Sequence, residues 1–250
     1  MESRRVTVDG LAVHALVADG PPGAPVVVLV HGQGMSSRYM EPLGDRLASF
    51  ARVHAPDQPG FGSSAKPERP LDLDGLADFH AAYLRAVGIG RATLLGNSFG
   101  CQIAAACAER HPDAVERLVL QGPTADPASR SFAGIVRRWR ENSRREPSGL
   151  GFLLAEYRRA GFGRVFGTFR EMLRDRIEDR LPRVRAPVLV VRGERDPIAP
   201  EPWAERLAGL APDGRLVTVP GAAHTLNHYQ PDELARVVEA FVLGRTDGAG

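Results

Sequence analysis

The residues Gly96-Asn97-Ser98-Phe99-Gly100 place a hydroxyl between two glycines, after the apolar run Ala92 to Leu95 and before the helix-forming run Cys101 to Ala106. A G-x-S-x-G between a strand and a helix can hold its serine on a strained turn, with the hydroxyl projecting above a sheet. Glycine two residues to either side lets the strand and the helix come close. Without partners the same segment would be an ordinary Gly-rich turn, because a neutral hydroxyl is a poor nucleophile and needs a base and an acid that orients the base.

Both partner types follow in the chain, in the order serine, acid, histidine. Asp196 lies in Arg192-Gly193-Glu194-Arg195-Asp196-Pro197, after the apolar run Val188 to Val191. His224 ends Gly221-Ala222-Ala223-His224, after Leu216 to Val219. Loops at the carboxyl ends of parallel strands are where such a sheet opens a crevice. In this reading Ser98 is the nucleophile, His224 the base that takes and returns its proton, and Asp196 the carboxylate that holds the imidazole. His228 is the rival base. Asp126 and Glu194 are the alternative acids, and Asp196 before Pro197 could also be a plain turn former.

An acyl-transfer intermediate needs hydrogen-bond donors for its oxyanion. His31-Gly32-Gln33-Gly34 directly follows the buried run Val26 to Val30 and offers them. The backbone amides of Gln33 and Phe99 are assigned as the oxyanion hole, and Gly32, Gly34, Asn97 and Trp139 to the substrate-binding wall. His31 is expected to bond within its own loop. Asp57-Gln58-Pro59-Gly60-Phe61-Gly62-Ser63-Ser64 reads as a structural turn, with Phe61 a candidate for the pocket mouth.

The elements that must position these groups alternate along the chain. Arg4 to Val8 and Leu11 to Val17 flank Asp9-Gly10, a hairpin signal. Strand-like runs at Pro25 to Val30, Ala51 to Ala55, Ala92 to Gly96, Val115 to Gln121, Ala186 to Arg192 and Arg215 to Val219 bring the count to eight. Helical patterns occupy Arg38 to Phe50, Leu73 to Val87, Phe99 to Glu109, Glu201 to Leu210 and Pro231 to Leu243. Such alternation implies a mostly parallel sheet covered on both faces, with an antiparallel hairpin at one edge.

The alternation stops between residues 124 and 184, which carry helical patterns and no convincing strand. The expected organisation is therefore a core of residues 1–123 and 185–250, with 124–184 inserted as a helical cap after the sixth strand. That segment holds fourteen Arg against eight acidic residues. The surplus reads as a solvated face or as a lid that attracts an anionic substrate group. Its aromatics, Phe132, Trp139, Phe152, Tyr157, Phe162, Phe166 and Phe169, are expected to form mostly the cap's own core, with a few touching substrate. Arg245 to Gly250 reads as a frayed tail.

The whole chain, 250 residues with 32 basic and 30 acidic side chains, lacks the positive field of a nucleic-acid binder. Cys101 and Cys107 on one helix would lie about 9 Å apart, beyond disulfide reach. No Cys/His cluster has metal-ligand spacing and no apolar run approaches spanning length. A cytoplasmic protein that acts on a small molecule, as a monomer or homodimer without nucleic-acid or membrane partners, is expected.

His31-Gly32-x-Gly34, Asp57-x-Pro59-Gly60-x-Gly62-x-Ser64, Gly96-x-Ser98-x-Gly100, Gly193-x-x-Asp196 and the His224 loop together resemble the α/β-hydrolase superfamily over all but residues 124–184. The resemblance implies an eight-stranded sheet with one antiparallel strand, a triad of Ser98, Asp196 and His224, and no cofactor. The elbow Gly96-Asn97-Ser98-Phe99-Gly100 is similar to that of hydrolases that cleave carbon–carbon bonds in aromatic ring-fission products. Those enzymes usually carry Pro in the oxyanion loop and Trp after the catalytic His, whereas this chain has Gln33-Gly34-Met35 and Thr225. The expected activity is hydrolysis of a small to medium carboxylic ester or thioester through an acyl-enzyme. The alternatives are carbon–carbon hydrolysis of a dienoic diketone acid, which a basic cap would suit, and a non-catalytic ligand sensor on the same fold. Epoxide and haloalkane hydrolysis would need a carboxylate at position 98.

Overall fold

A computed structural model describes residues 1–146 and 149–245; of the expected frayed tail, only Arg245 lies within the described residues. Eight strands form one sheet: β1 (Glu2–Val8), β2 (Leu11–Ala18), β3 (Val26–Val30), β4 (Arg52–Pro56), β5 (Ala92–Asn97), β6 (Val115–Gln121), β7 (Val188–Gly193) and β8 (Gly214–Val219). Their order is β1-β2-β4-β3-β5-β6-β7-β8. β2 runs antiparallel to both its neighbours, and every other pairing is parallel. The expected single antiparallel strand is thus β2, joined to β1 by a two-residue turn in which Asp9 (φ 46°) and Gly10 (φ 79°) both take positive φ. That is the backbone a tight hairpin requires and the reason for Asp-Gly there.

β3 is apolar throughout, and β5 and β7 carry the apolar runs Leu94–Leu95 and Val188–Val191, because both faces of the sheet are covered. Val28, Val30, Leu94, Leu118 and Val190 enter one core cluster, with Ile103 and Leu207; Val27, Leu29, Leu95, Val119 and Val191 enter the other, with Leu43 and Val238. The first face is covered by α2 (Leu73–Ala86), α3 (Phe99–Arg110) and α8 (Glu201–Leu210), the second by α1 (Ser37–Leu47) and α10 (Pro231–Val242). Residues 124–184 hold α4 (Phe132–Asn142), α5 (Leu150–Ala160), α6 (Phe162–Arg174) and the short α7 (Ile177–Arg180), with no strand among their described residues. A further short helix, α9 (Leu226–Tyr229), follows His224. No helix among the described residues is long and apolar enough to cross a membrane.

The parallel register sets up the site. Val30 pairs with Gly96, Asn97 with Gln121, and Gly193 with Val219. The loops leaving β3, β5, β6, β7 and β8 therefore share one rim of the sheet.

Candidate active site

Ser98 sits between β5 and α3 with φ 57° and ψ −121°, a positive φ that few non-glycine residues adopt. Such a conformation costs on the order of 1–3 kcal/mol and persists because its surroundings allow no other. A Cβ on Gly96 would collide with the Gly100 carbonyl oxygen, and one on Gly100 with the Val30 carbonyl oxygen. Both glycines of the motif are thus dictated by close packing of strand, turn and helix. The Ser98 amide donates to the Gln121 carbonyl at 3.0 Å, which ties the turn to β6.

His224 and Asp196 meet at this rim. Nδ1 of His224 lies 2.8 Å from Asp196 Oδ2, and the other carboxylate oxygen accepts from the Ile198 and Ala199 amides at 2.8 and 3.1 Å. With Nδ1 donating to the carboxylate, Nε2 is left as the basic nitrogen. It is buried and bonds to no protein atom. The ring rests on Gly122 (φ 60°), where a Cβ would stand 2.9 Å from Cε1 and Nδ1. Burial alone would depress the His224 pKa, but the Asp196 charge, its hydrogen bond and the more distant Glu146 outweigh burial and raise it above the usual 6.5. Conversely, burial would raise the Asp196 pKa, but His224 and the two amides hold it below the usual 3.8. Ser98 and His224 line one cavity without a hydrogen bond between them. Nucleophile–base contacts are often loose until substrate is bound.

The rival groups are engaged elsewhere. Asp126 pairs with Arg138 at 2.6 Å and accepts from the Ala128 amide, and Glu194 accepts from the Gly221 amide at 2.7 Å. His228 lines the cavity but stacks on Tyr39 and Phe152 and, among the described residues, bonds to no carboxylate.

The loop after β3 is fastened from below and above. His31 Nε2 accepts from the Gln58 amide at 3.1 Å, and burial lowers its pKa, keeping the ring neutral as this role requires. Asp57 accepts from the Ser37 and Ser63 amides and from His14, which makes its turn structural as expected. The Gln33 side chain donates to Val165 O at 2.6 Å and Thr168 Oγ1 at 3.0 Å on α6. Gln33 lines the cavity, and the Phe99 amide, first in α3, has no acceptor within its own helix. Gly32 lies against Ser98, a Cβ there standing 3.2 Å from the serine Cβ.

Two expectations need correction. Gly34 (φ 71°) does not line the cavity: a Cβ there would strike the Tyr157 ring, so its hydrogen face is where α5 rests on the loop. Phe61 is not at the pocket mouth but buried beneath α5 and α6 with Ala160 and Val165. Asn97 does line the cavity, yet its amide nitrogen is spent on Gln121 Oε1 at 2.5 Å, and Gln121 Nε2 in turn donates to His224 O at 2.7 Å. This relay couples the serine turn to the histidine loop. The one signal of Gln121 in the sequence is that it is a polar residue ending an apolar strand.

The cavity encloses about 450 Å³. Trp139 lines it as expected, with Phe152 and Leu153 beside it. Of the other aromatics in the inserted segment, Phe132, Phe162 and Phe166 are more than half exposed, Phe169 packs edge-on to Phe132, and Tyr157 covers Gly34. None of the fourteen arginines of residues 124–184 lines it. Arg130, Arg138 and Arg180 are tied to Glu178, to Asp126, and to a cluster of Asp74, Glu109 and Asp175. Of the two readings of the basic surplus, the described lining residues therefore favour the solvated face over a lid that attracts an anionic substrate. Glu146 lines the cavity instead, accepting from Thr225 Oγ1 at 2.7 Å, from the Thr225 amide and from Asn142 Nδ2 at 2.7 Å. Asn142 Oδ1 also accepts from the His224 amide at 3.3 Å. No periodicity or motif marked Asn142, Glu146 or Thr225. A second cavity, about 420 Å³ between α2 and α6, is walled by arginines and carboxylates that largely pair with one another.

Residues 27–237 match the model of the alpha/beta hydrolase family. A 2-hydroxymuconate semialdehyde hydrolase of Pseudomonas putida is 31% identical over 243 residues, covering 86% of this chain and 86% of that protein. A 2-(acetamidomethylene)succinate hydrolase of Mesorhizobium japonicum is 26% identical over 244 residues, covering 87% and 88%. Among solved structures, a bacterial membrane phospholipase A superposes with a TM-score of 0.82 at 28% identity over 97% of this chain and 86% of its own.

Proposed function

The chain belongs to the alpha/beta hydrolase family, and from that premise we propose that it hydrolyses a small to medium carboxylic ester or thioester through an acyl-enzyme on Ser98. The observation that carries this reading is the buried Asp196–His224 pair, whose Nε2 has no hydrogen-bond partner among the described residues and whose ring lines the cavity that Ser98 also lines. In the first half-reaction Ser98 Oγ attacks the carbonyl carbon while its proton passes to Nε2. The Gln33 and Phe99 amides receive the oxyanion. As the intermediate collapses, Nε2 returns the proton to the leaving oxygen or sulfur. In the second half-reaction Nε2 deprotonates a water that attacks the acyl carbon, and the proton goes back to Ser98 as the acid departs. Asp196 stays ionised throughout, holding the tautomer and stabilising the imidazolium.

In this reading α4 and α5 act as a cap whose apolar wall of Trp139, Phe152 and Leu153 seats an acyl chain. Carbon–carbon hydrolysis is the second reading, favoured by the name of the Pseudomonas putida relative, a 2-hydroxymuconate semialdehyde hydrolase. Against it stands a cavity with no arginine among its described lining residues to receive a substrate carboxylate. A chromogenic ester panel of graded acyl length, with thioesters and a ring-fission acid included, separates the two, alongside fluorophosphonate labelling. The expected result is ester turnover and labelling that are both lost in Ser98→Ala. Hydrolysis unchanged in Ser98→Ala would sink the proposal, and ligand binding without any turnover would make the protein a sensor.

A further inference from the structure

The charge on the cavity wall has a direct bearing on what can enter it, given the ester-hydrolase reading above. Among the described lining residues there is one carboxylate, Glu146, and no lysine or arginine. The basic side chains near it point elsewhere: Arg145 donates to Arg195 O and Glu141, Arg138 to Asp126 and Pro197 O, and Arg38 lies over the Phe152 ring at 5.9 Å without lining the cavity. Glu146 is fixed rather than free to swing out to solvent, because Thr225 and Asn142 supply three hydrogen bonds to its two oxygens. A carboxylate has room for about four such bonds, so one acceptor direction is left. Its anchors are Thr225, which directly follows His224, and Asn142, which accepts from the His224 amide, so this negative charge is held on the histidine loop. When His224 is neutral and acting as base, Asp196 behind it is a second anion, and no lysine or arginine among the described lining residues offsets the two.

We infer that Glu146 is a charge filter that makes the cavity select substrates whose portion beneath α4 is cationic or neutral, and reject those carrying a carboxylate or other anion there. Charges of like sign in a partly buried cleft repel more strongly than in water, whereas an ammonium group gains what an anion loses. Glu146 is thereby a specificity residue as well as a clamp between α4 and the histidine loop.

The test uses p-nitrophenyl butyrates whose terminal carbon carries a trimethylammonium, a tert-butyl or a sulfonate group, three tips of similar shape and different charge. The wild type should rank them by kcat/KM as cation, neutral, anion. Glu146→Gln should lower the cation-to-anion ratio about tenfold, and Glu146→Asp should keep the order. Raising the ionic strength should narrow the wild-type ratio, a readout that needs no variant to fold. If Glu146→Gln scales all three esters by one factor, the residue is only a clamp and the inference fails; a wild type that prefers the sulfonate also overturns it. If no ester is turned over, the ester-hydrolase reading has failed by itself. Calorimetric binding of the three esters to Ser98→Ala then still ranks the charges, and a rank led by the anion or an equal affinity for all three refutes the filter.

Discussion

The rim of the sheet and the helices inserted between β6 and β7 treat the same kinds of side chain in opposite ways. At the rim, polar groups are buried and multiply bonded: Asp196 takes His224 and two amides, His31 takes Gln58, and Asn97 joins Gln121. Each is placed by a strand end, and parallel register leaves little choice of position. In α4, α5 and α6 the composition is a poor guide to placement. Trp139 and Phe152 face the cavity while Phe132 and Phe162 face outward, and the arginines are exposed or pair with carboxylates, apart from Arg164, which donates to the Pro67 carbonyl. A chemical group bound to a strand terminus inherits its location from topology, whereas one on a helix depends on which face its neighbours cover.

The largest effect that would break this contrast is at the rim. Asp196→Asn should lower kcat for the ester by about 10³–10⁴-fold with the fold intact, because the imidazole loses both its tautomer and its counter-charge; a loss below tenfold, read by steady-state kinetics, would assign the orienting role elsewhere. The pH profile sharpens the same point. His224 must be neutral to accept the proton, so kcat/KM should rise with pH through an inflection above 6.5, the direction in which its pKa is shifted. An inflection below 6.5 contradicts the pairing. The pair also links pH to stability. The raised His224 pKa contributes stability that is full below about 6.5 and is lost as pH climbs through the folded value. The depressed Asp196 pKa contributes stability present above about 3.8 and lost as pH falls through its folded value. Thermal melting across pH should therefore peak between these limits as far as this pair is concerned.

Next in size is the sheet core. Leu94→Ala, at a fully buried position in β5, should destabilise by about 2–5 kcal/mol in denaturant melts. Smaller again is the tether between the two regions: Thr168→Val leaves the Gln33 amide with Val165 O as its remaining acceptor, at a cost of about 1 kcal/mol in stability and a few-fold loss of kcat. A kcat that does not change would mean that α6 does not position the oxyanion loop. Smallest is the exposed helix surface, where Phe166→Ser, at 56% exposure, should move stability by no more than about 0.5 kcal/mol. A larger loss would show that this face is covered in solution.

Much of the fold is legible in the sequence. The Asp-Gly hairpin, the eight strands and the five long flanking helices emerge from turn signals and periodicity, with boundaries shifted by at most three residues where ends are set by capping and by neighbouring strands. The convergence of Ser98, Asp196 and His224 on one rim is legible because each lies in the loop that follows a strand of the sheet. Gly34 and Phe61 were misplaced because a loop residue's facing depends on what packs over it, here Tyr157 for the first and Ala160 with Val165 for the second. Glu146 and Asn142 carried no signal, since a carboxylate and an amide near a helix end are ordinarily solvated.

What the amino-acid order determined by itself was local: which segments must be strands buried on both faces, which turns need a glycine, and in what sequence a hydroxyl, a carboxylate and an imidazole arrive at strand ends. Tertiary structure alone decided the electrostatic character of the cavity, an excess of arginine in the inserted segment turning outward while one glutamate turns in. The physical reason is that backbone geometry repeats with a short period and is encoded by neighbours in the chain. The field inside a cleft is instead a sum over side chains brought together from distant segments, and each helix can aim the same residues either way.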